Sequence, residues 1–462
     1  MLTRRGYKVE KSALSPSVIE EIRKDLMVRP ASASHHQPPP AFSVLKESTS
    51  SLYLPRLYAY KKLGKPEGGL KFVPHVMTPH LEFSGKMRPT QQEAVDAYLR
   101  EALEGSGSGT ICGSCGFGKT ACSTYVIAQM KVKTLVICGQ MFLMDQWRER
   151  IRQFIPNAKI GIMKGNKFEH EGCDIVVASL QTMISRKYPL DGFGLQIFDE
   201  VHHLSARVFV TSLMQETTRY TLGLTATPVR KDGLGRVFMW FIGDVVFRQA
   251  AGDQKRTDVV IKTPRMPQRD EPRCDFAGRP DTVAMVSDLC ANIERTKDLA
   301  KIVRKIMKDP NRCVLVLSER RKHLEDFHNL LSPYHAHEMG YYVGGMKQEE
   351  REKVEQSSRL ILATFHIAAE AFDVKRLNTL LLASPKSDVE QSVGRVMRTL
   401  PGEGPAAPLI IDPYDPLFAG PARKRRALYK KRAYTMADPK EESDEEDCAV
   451  PVTIAFKNVK MM

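Results

Sequence analysis

GSCGFGKT at 113–120 places Gly113, Gly116 and Gly118 ahead of Lys119 and Thr120. This is the G-x-x-x-x-G-K-T spacing of a phosphate-cradling loop. Lacking Cβ atoms, such glycines let backbone N–H groups turn toward phosphate oxygens where a helix begins. Lys119 adds a mobile positive charge for the β- and γ-phosphates, and Thr120 a hydroxyl for magnesium. Farther along, LQIFDEVHH at 195–203 ends an apolar run in acids. Asp199 is placed to hold magnesium, directly or through water. Glu200 is placed to orient and deprotonate an attacking water, because phosphoryl transfer needs its nucleophile in line. His202 suits relay of nucleotide state better than proton transfer, and His203 reads as satisfied polar packing.

A second cationic element closes the series. QSVGRVMR at 391–398 sets Gln391, Gly394, Arg395 and Arg398 in Q-x-x-G-R-x-x-R spacing. Guanidinium is planar, permanently charged and able to grip phosphate oxygens with two parallel donors. Arg398 is the candidate arginine finger on the γ-phosphate, with Arg395 sharing charge and positioning. TATP at 225–228 lies between the acidic and arginine elements. A small-molecule kinase has a phosphate loop but no use for this later series. The set implies a two-lobed, ATP-driven motor.

The elements that must position these residues alternate in type. Before the loop, Ala94, Val95, Tyr98, Leu99 and Ala102 give one apolar helical face across 91–103, which GSGSG at 105–109 breaks. Short apolar runs at 110–112, 134–138, 158–162, 174–178, 195–198 and 220–224 read as strands between helix-like stretches. Continuous apolar strands belong in a mainly parallel sheet covered on both faces. Alternation resumes with a helix near 295–307 and strands near 313–317, 360–363 and 379–382, giving a second α/β lobe. The expected division is an N-terminal extension or small accessory domain at 1–86, a nucleotide-binding lobe at 87–250 and an interlobe connection at 251–282. A second lobe at 283–420 and a basic then acidic tail at 421–462 follow.

The chain has 462 residues and a net charge of +15, which favours a polyanionic partner held through its phosphates. Nine cysteines form no disulfide or metal framework: Cys112 and Cys115 have metal-like spacing but no second pair nearby. His335 and His337 read as loop residues. No apolar run has membrane-spanning length, and no hydrophobic signal segment leads the chain, so no membrane partner is expected and the protein is expected inside cells. PASASHHQPPP at 30–40 reads as a linker. SLYLPRLYAYKKLG at 51–64 interleaves aromatic, aliphatic and basic residues and admits two readings, a cap on the first lobe or a nucleic-acid contact. PARKRRALYKKRAY at 421–434 likewise admits two: a tail held by the nearby acids of EESDEED (441–447), or a nucleic-acid contact through Arg423, Lys424, Arg425, Arg426, Lys430, Lys431 and Arg432.

Taken together, the motifs over about 87–400 resemble superfamily 2 helicases. The likeness is to the DExH branch of XPB-type and UvsW-type helicases and the related helicases of large eukaryotic DNA viruses. The resemblance implies two RecA-like lobes, ATP and magnesium as cofactors, and ATP-driven movement on nucleic acid. Arg88, Pro89 and Gln91 match an element that recognises adenine. LMDQW at 143–147 matches one in which Gln146 and Trp147 begin a strand-contacting or supporting helix. Ser179 and Gln181 match a backbone-phosphate contact, and Thr225 and Thr227 a pair coupling hydrolysis to lobe movement, extended by Arg230 and Asp232. In the second lobe, Ser318 and Arg320 begin the nucleic-acid-facing surface, near the tight turn of YYVGG at 341–345. ATFHIAAEAFDV at 363–374 resembles the family's coupling motif, which implies that Thr364 faces phosphate, with Glu370 and Asp373 nearer the nucleotide cleft.

The sequence departs from the family pattern at one point. Where a glycine commonly follows the glutamate, Ala371 follows Glu370, and alanine makes a left-handed turn costly. No charged group is lost, so an active ATPase is still expected. DNA is the expected partner by resemblance; RNA is the alternative, since both present phosphates and 2′-hydroxyl recognition is not legible. A third reading is a nucleotide-gated binding module. The resemblance also implies work alongside transcription or replication machinery: transcript release, recombination or repair, in a host nucleus, a cytoplasmic virus factory or a virion.

Overall fold

The computed structural model describes the chain apart from residues 1, 4–5, 32–39, 66–73, 115, 140, 187–189, 200–217, 227–232, 251–256, 268–270, 277, 372–373, 375, 397–403 and 438–462. Packing divides it into two compact units. The first is Met1–Lys255 with Phe365–Lys375 and Glu390–Arg398; the second is Arg256–Thr364 with Arg376–Val389 and Thr399–Met462.

The N-terminal residues form β1 (Leu2–Thr3), β2 (Gly6–Glu10), β3 (Met27–Val28), β4 (Phe42–Ser43), β5 (Lys46–Glu47) and β6 (Ser51–Leu54). Four of them build an antiparallel sheet in the order β1-β2-β6-β5, and β3 pairs with β4. The stretch 51–64 becomes β6 and a helix, Arg56–Leu63. Its Tyr58, with Leu52, Leu54, Ile22 and Leu26, shares one core with Leu135, Ile137, Val176, Ala178 and Phe198 of the central sheet. Buried Arg56 ties this region down by donating to the carbonyls of Thr218 and Arg219 and to Ser108 Oγ. The cap reading of this stretch therefore has a packed counterpart.

The first unit's central sheet contains β7 (Ser108–Cys112), β8 (Thr134–Cys138), β9 (Ile160–Lys164), β10 (Lys167–Glu169), β11 (Ile175–Ser179), β12 (Leu195–Asp199), β13 (Tyr220–Thr225) and β14 (Val245–Arg248). Its order is β10-β9-β11-β8-β12-β13-β7-β14, parallel except for the hairpin partner β10. Every residue of β7, β8, β11, β12 and β13 is buried, as expected of strands covered on both faces. Alternate side chains divide accordingly. Ile175 and Val177 join the face packed by Tyr98, Val126 and Trp147, whereas Val176 and Ala178 join the N-terminal core.

The second unit's sheet contains β15 (Val260–Lys262), β16 (Val314–Ser318), β17 (Met339–Tyr342), β18 (Leu360–Thr364), β19 (Thr379–Leu382), β20 (Leu409–Ile411) and β21 (Thr435–Met436). All are parallel, in the order β17-β18-β16-β19-β20-β15-β21. Two parallel, helix-covered sheets make the expected pair of RecA-like lobes.

Two segments differ from the sequence reading. Part of the supposed connection at 251–282 is β15, paired with β20 on one side and β21 on the other. Three residues are too short to register as an apolar period. The basic stretch at 421–434 is no loose tail: residues 421–431 lie in a helix, Ala419–Lys431, whose Ala422, Arg425 and Tyr429 are buried, and the rest leads into β21. EESDEED lies outside the described residues. Among the described residues, no helix is long and apolar enough to cross a membrane, and no cluster of His, Cys, Asp and Glu suits a metal ion. Cys112 is a buried free thiol, while Cys115 lies outside the described residues.

Candidate nucleotide site

Sheet register assembles the site. Asp199 pairs with Cys138 and Leu224, Ser179 pairs with Cys138, and Thr225 pairs with Cys112. The ends of β7, β8, β11, β12 and β13 are thus level along one sheet edge, where open parallel sheets bind ligands. Gly113 follows β7 directly, so the glycine loop, Asp199, Thr225 and Ser179 all open from this edge.

The loop geometry depends on its glycines. Gly116 and Gly118 adopt φ of +82° and +88°, a region that suits glycine. A Cβ at Gly113 would lie 2.5 Å from the Phe117 ring, and one at Gly118 2.3 Å from Gln91 Nε2. The helix Lys119–Met130 starts immediately afterwards, presenting its first-turn N–H groups. Lys119 Nζ donates to Gly113 O at 3.0 Å, spanning the loop. Gly113 N donates to Thr225 O at 3.1 Å, joining the loop to the end of β13. Half-buried Lys119 and Thr120 and the glycine cradle fit a triphosphate with its cation.

Arg88 and Gln91 stand beside this loop. Gln91 is buried, its Nε2 donating to Phe117 O at 2.7 Å and its Oε1 accepting from Arg88 N at 3.0 Å. The Arg88 guanidinium also donates to the carbonyls of Phe117 and, at 3.4 Å, Gly116. Both side chains brace the phosphate loop.

Asp199 is buried, and its Oδ2 accepts from the Trp147 indole N–H at 2.8 Å. Trp147 is itself buried on the helix Met141–Phe154, so the sequence placed it on a supporting helix without revealing its partner. Burial, together with the nearby Asp199 charge, pushes the Cys138 thiol well above its ordinary range. Burial similarly pushes Cys122 up to about 12, leaving both thiols protonated near neutrality.

Gln249 is the residue that sequence reasoning missed. Its Oε1 accepts from Ser114 N at 3.0 Å and Ser114 Oγ at 2.8 Å, while its backbone N–H donates to Cys112 O at 2.9 Å. A glutamine after the short strand β14 carries no local signal of that contact.

Other expected residues divide clearly. Ser179 is buried at the start of the helix Leu180–Ser185, Gln181 is exposed, and Gln146 is half-buried. Gln391 and Arg395 are half-buried in the helix Glu390–Arg395, within the first unit. Ala371 ends the helix Phe365–Ala371, so no left-handed turn is required at the departure from the family pattern. Glu370 lies on the same helix. Glu200, His202, His203, Thr227, Arg230, Asp232, Asp373 and Arg398 lie outside the described residues.

In the second unit, Ser318 pairs with half-buried Thr364 at the ends of β16 and β18. The expected phosphate contact at Ser318 is not what its surroundings provide. Its side chain is completely buried, bonded to His323 Nδ1 at 2.9 Å and accepting from Arg320 N at 3.1 Å. Arg320 donates to Ser287 Oγ at 3.1 Å and Val283 O at 3.3 Å, tethering the helix Thr282–Ala291. Ser318 is thus an internal fastening, while half-buried Arg320 ties down a neighbouring helix. The YYVGG turn is present, with Gly345 at φ of +87°. His335 and His337 both lie near Glu338.

Comparison with known proteins accords with this architecture. Residues 84–230 match the model described as type III restriction enzyme, res subunit, and residues 294–400 the helicase conserved C-terminal domain. A protein of Acanthamoeba polyphaga mimivirus, named as an inferred ATP-dependent RNA helicase (L396), is 27% identical, covering 94% of this chain and 86% of its own length. The DNA 3'-5' translocase XPB2 of Sulfurisphaera tokodaii is 34% identical over 36% of each chain. A fragment assigned as the HsdR subunit of a type I restriction enzyme from Vibrio vulnificus has the same fold, with a TM-score of 0.57 and 18% identity over 82% of this chain and 72% of that one. Carrying both matched domains in order on two RecA-like sheets, the chain belongs to the superfamily 2 helicases.

Proposed function

We propose that the chain hydrolyses ATP with magnesium to drive movement along DNA, as a member of the XPB- and UvsW-type DExH branch. The observation that carries this reading is the common sheet edge bearing the glycine loop, Asp199 and Thr225. Lys119 and the loop N–H groups hold the β- and γ-phosphates, Glu200 positions and deprotonates the attacking water, and Arg395 and Arg398 offset charge on the γ-phosphate. Thr120 and Asp199 would hold magnesium, which would supply positive charge to the phosphate oxygens. Thr225, Thr227 and His202 link nucleotide state to grip on the strand. Backbone phosphates carry no base identity, so tracking is independent of sequence.

The 34% identity to an archaeal DNA translocase supports DNA. RNA is the second reading, favoured by the activity for which the mimivirus relative is named, which spans 94% of this chain. We place the biological role in transcript release, recombination or repair. The deciding measurement is ATPase rate with no nucleic acid, single-stranded DNA, duplex DNA and RNA. Stimulation by DNA is expected; stimulation by RNA alone replaces DNA with RNA, and no turnover under any condition overturns the motor reading.

A further inference from the structure

We infer that the exposed face of the helix Ala419–Lys431 is an additional grip on the nucleic-acid backbone, formed by Arg423, Lys424, Arg426, Lys430 and Lys431. The inference rests on the nucleic-acid motor reading above and assigns it a contact outside the matched domains, which end at residue 400.

Packing sorts the seven cations that looked equivalent in the sequence. Arg425 points inward: its Nε donates to both Asp412 oxygens at 2.9 and 3.0 Å, its Nη2 lies 2.8 Å from Asp412 Oδ1, and its Nη1 donates to Lys386 O at 2.8 Å. Tyr429 adds its hydroxyl to Asp412 at 3.0 Å. Arg432, at the helix end, is also buried. At about 100° per residue, Ala422, Arg425, Tyr429 and Arg432 share one side, and the other five cations fall within an opposite arc of roughly 160°. All five are exposed.

Among the described residues, none of the five has an acidic partner. Arg426 alone has a ring contact, over Tyr414 at 5.2 Å. A helix anchored by a buried ion pair therefore displays five exposed cations on its outward side. From Arg423 to Lys431 the helix rises ~12 Å, a length over which duplex DNA carries about 7 phosphates, at one per ~1.7 Å of axis. Side chains of mixed lysine and arginine type spread along one helix face suit a repeating backbone charge rather than a single phosphate group. The rival occupant is the chain's own EESDEED run, with six acids at 441–447.

The test is binding of duplex DNA to the full chain across a salt series. The variant carries Arg423→Gln, Lys424→Gln, Lys430→Gln and Lys431→Gln; the control carries Lys297→Gln, Lys301→Gln, Lys305→Gln and Lys308→Gln, an equal loss of charge on exposed positions elsewhere in the second unit. The slope of log affinity against log salt should flatten by about 0.9 for each phosphate no longer neutralised, and by roughly 2 or more in the helix variant. The control should keep the wild-type slope. A helix variant matching wild type in affinity and slope overturns the inference, as does an equal flattening in both quadruple variants. A thermal-stability loss shared with a variant neutralised at Glu441, Glu442, Asp444, Glu445, Glu446 and Asp447, alongside unchanged DNA binding, assigns the face to the acidic run instead. If wild type itself binds no nucleic acid, the motor reading fails first.

Discussion

Trp147→Phe isolates one hydrogen bond at the nucleotide site. The indole N–H donates to Asp199 Oδ2 at 2.8 Å between two side chains that are both buried. Phenylalanine retains a large apolar ring but removes the donor, leaving the candidate metal-ligand carboxylate less firmly aimed. A hydrogen bond to a charged group contributes ~1.5–3 kcal/mol, equivalent to roughly 10- to 150-fold at 1.4 kcal/mol per decade. That range agrees with the ~10- to 100-fold effect of partners behind a metal ligand. The expected result is a rise of this order in the magnesium concentration for half-maximal ATPase, a comparable fall in turnover, or a division between the two. Magnesium titrations of steady-state ATPase read the effect, with ATP affinity measured separately and thermal melting monitoring the packing loss. A folded variant with magnesium dependence and turnover both within about twofold of wild type, set against the larger loss expected, refutes the positioning role of Trp147.

Gly118→Ala should weaken ATP binding by about tenfold or more, because left-handed backbone costs ~1–2 kcal/mol and the new Cβ would meet Gln91 Nε2; calorimetric titration showing wild-type affinity contradicts this. Glu200→Gln should retain ATP binding yet lose ~10²–10⁴-fold in turnover as a general base is removed, and Arg398→Ala should lose nucleic-acid-stimulated hydrolysis; unchanged turnover in either rejects that role. Arg425→Leu leaves Asp412 buried without its guanidinium and should destabilise the protein by about 3 kcal/mol or more, read by denaturant melts; a loss below about 1 kcal/mol contradicts the anchoring argument. Burial, with the Arg295 charge nearby, lowers the His323 pKa from 6.5 to about 3. Between those values the unfolded chain binds a proton that the folded chain refuses, so stability drops by up to ~1.4 kcal/mol for each unit by which pH is lowered. His323→Leu should therefore flatten the decline in melting temperature from about pH 7 to about pH 5; parallel curves would show that His323 carries no such linkage.

The phosphate loop was legible because its requirements are local: glycines, lysine and threonine at fixed spacing ahead of a helix. Strands were legible for a related reason. Burial on both faces demands continuous apolar runs, so 134–138 and 379–382 coincide with β8 and β19 at both ends. Runs such as 158–162 were displaced by two residues, because strand ends depend on which partner is present to extend the ladder. The short strand β15 was not legible, since three residues hold no period and its place comes from β20 and β21.

The sequence by itself determined the order of the chemical groups and the alternation that makes two parallel sheets. Only the tertiary structure decided which groups meet. Parallel register brings the ends of β7, β11, β12 and β13 level, while packing joins Trp147 to Asp199 and Gln249 to Ser114. It also turns Ser318 inward to His323, and separates buried Arg425 from the exposed cations beside it. Each outcome depends on side-chain direction and on contacts closed across long loops. Residue type and local spacing record neither, because the same serine or arginine is polar in sequence whether its partner proves to be solvent, phosphate or a buried side chain.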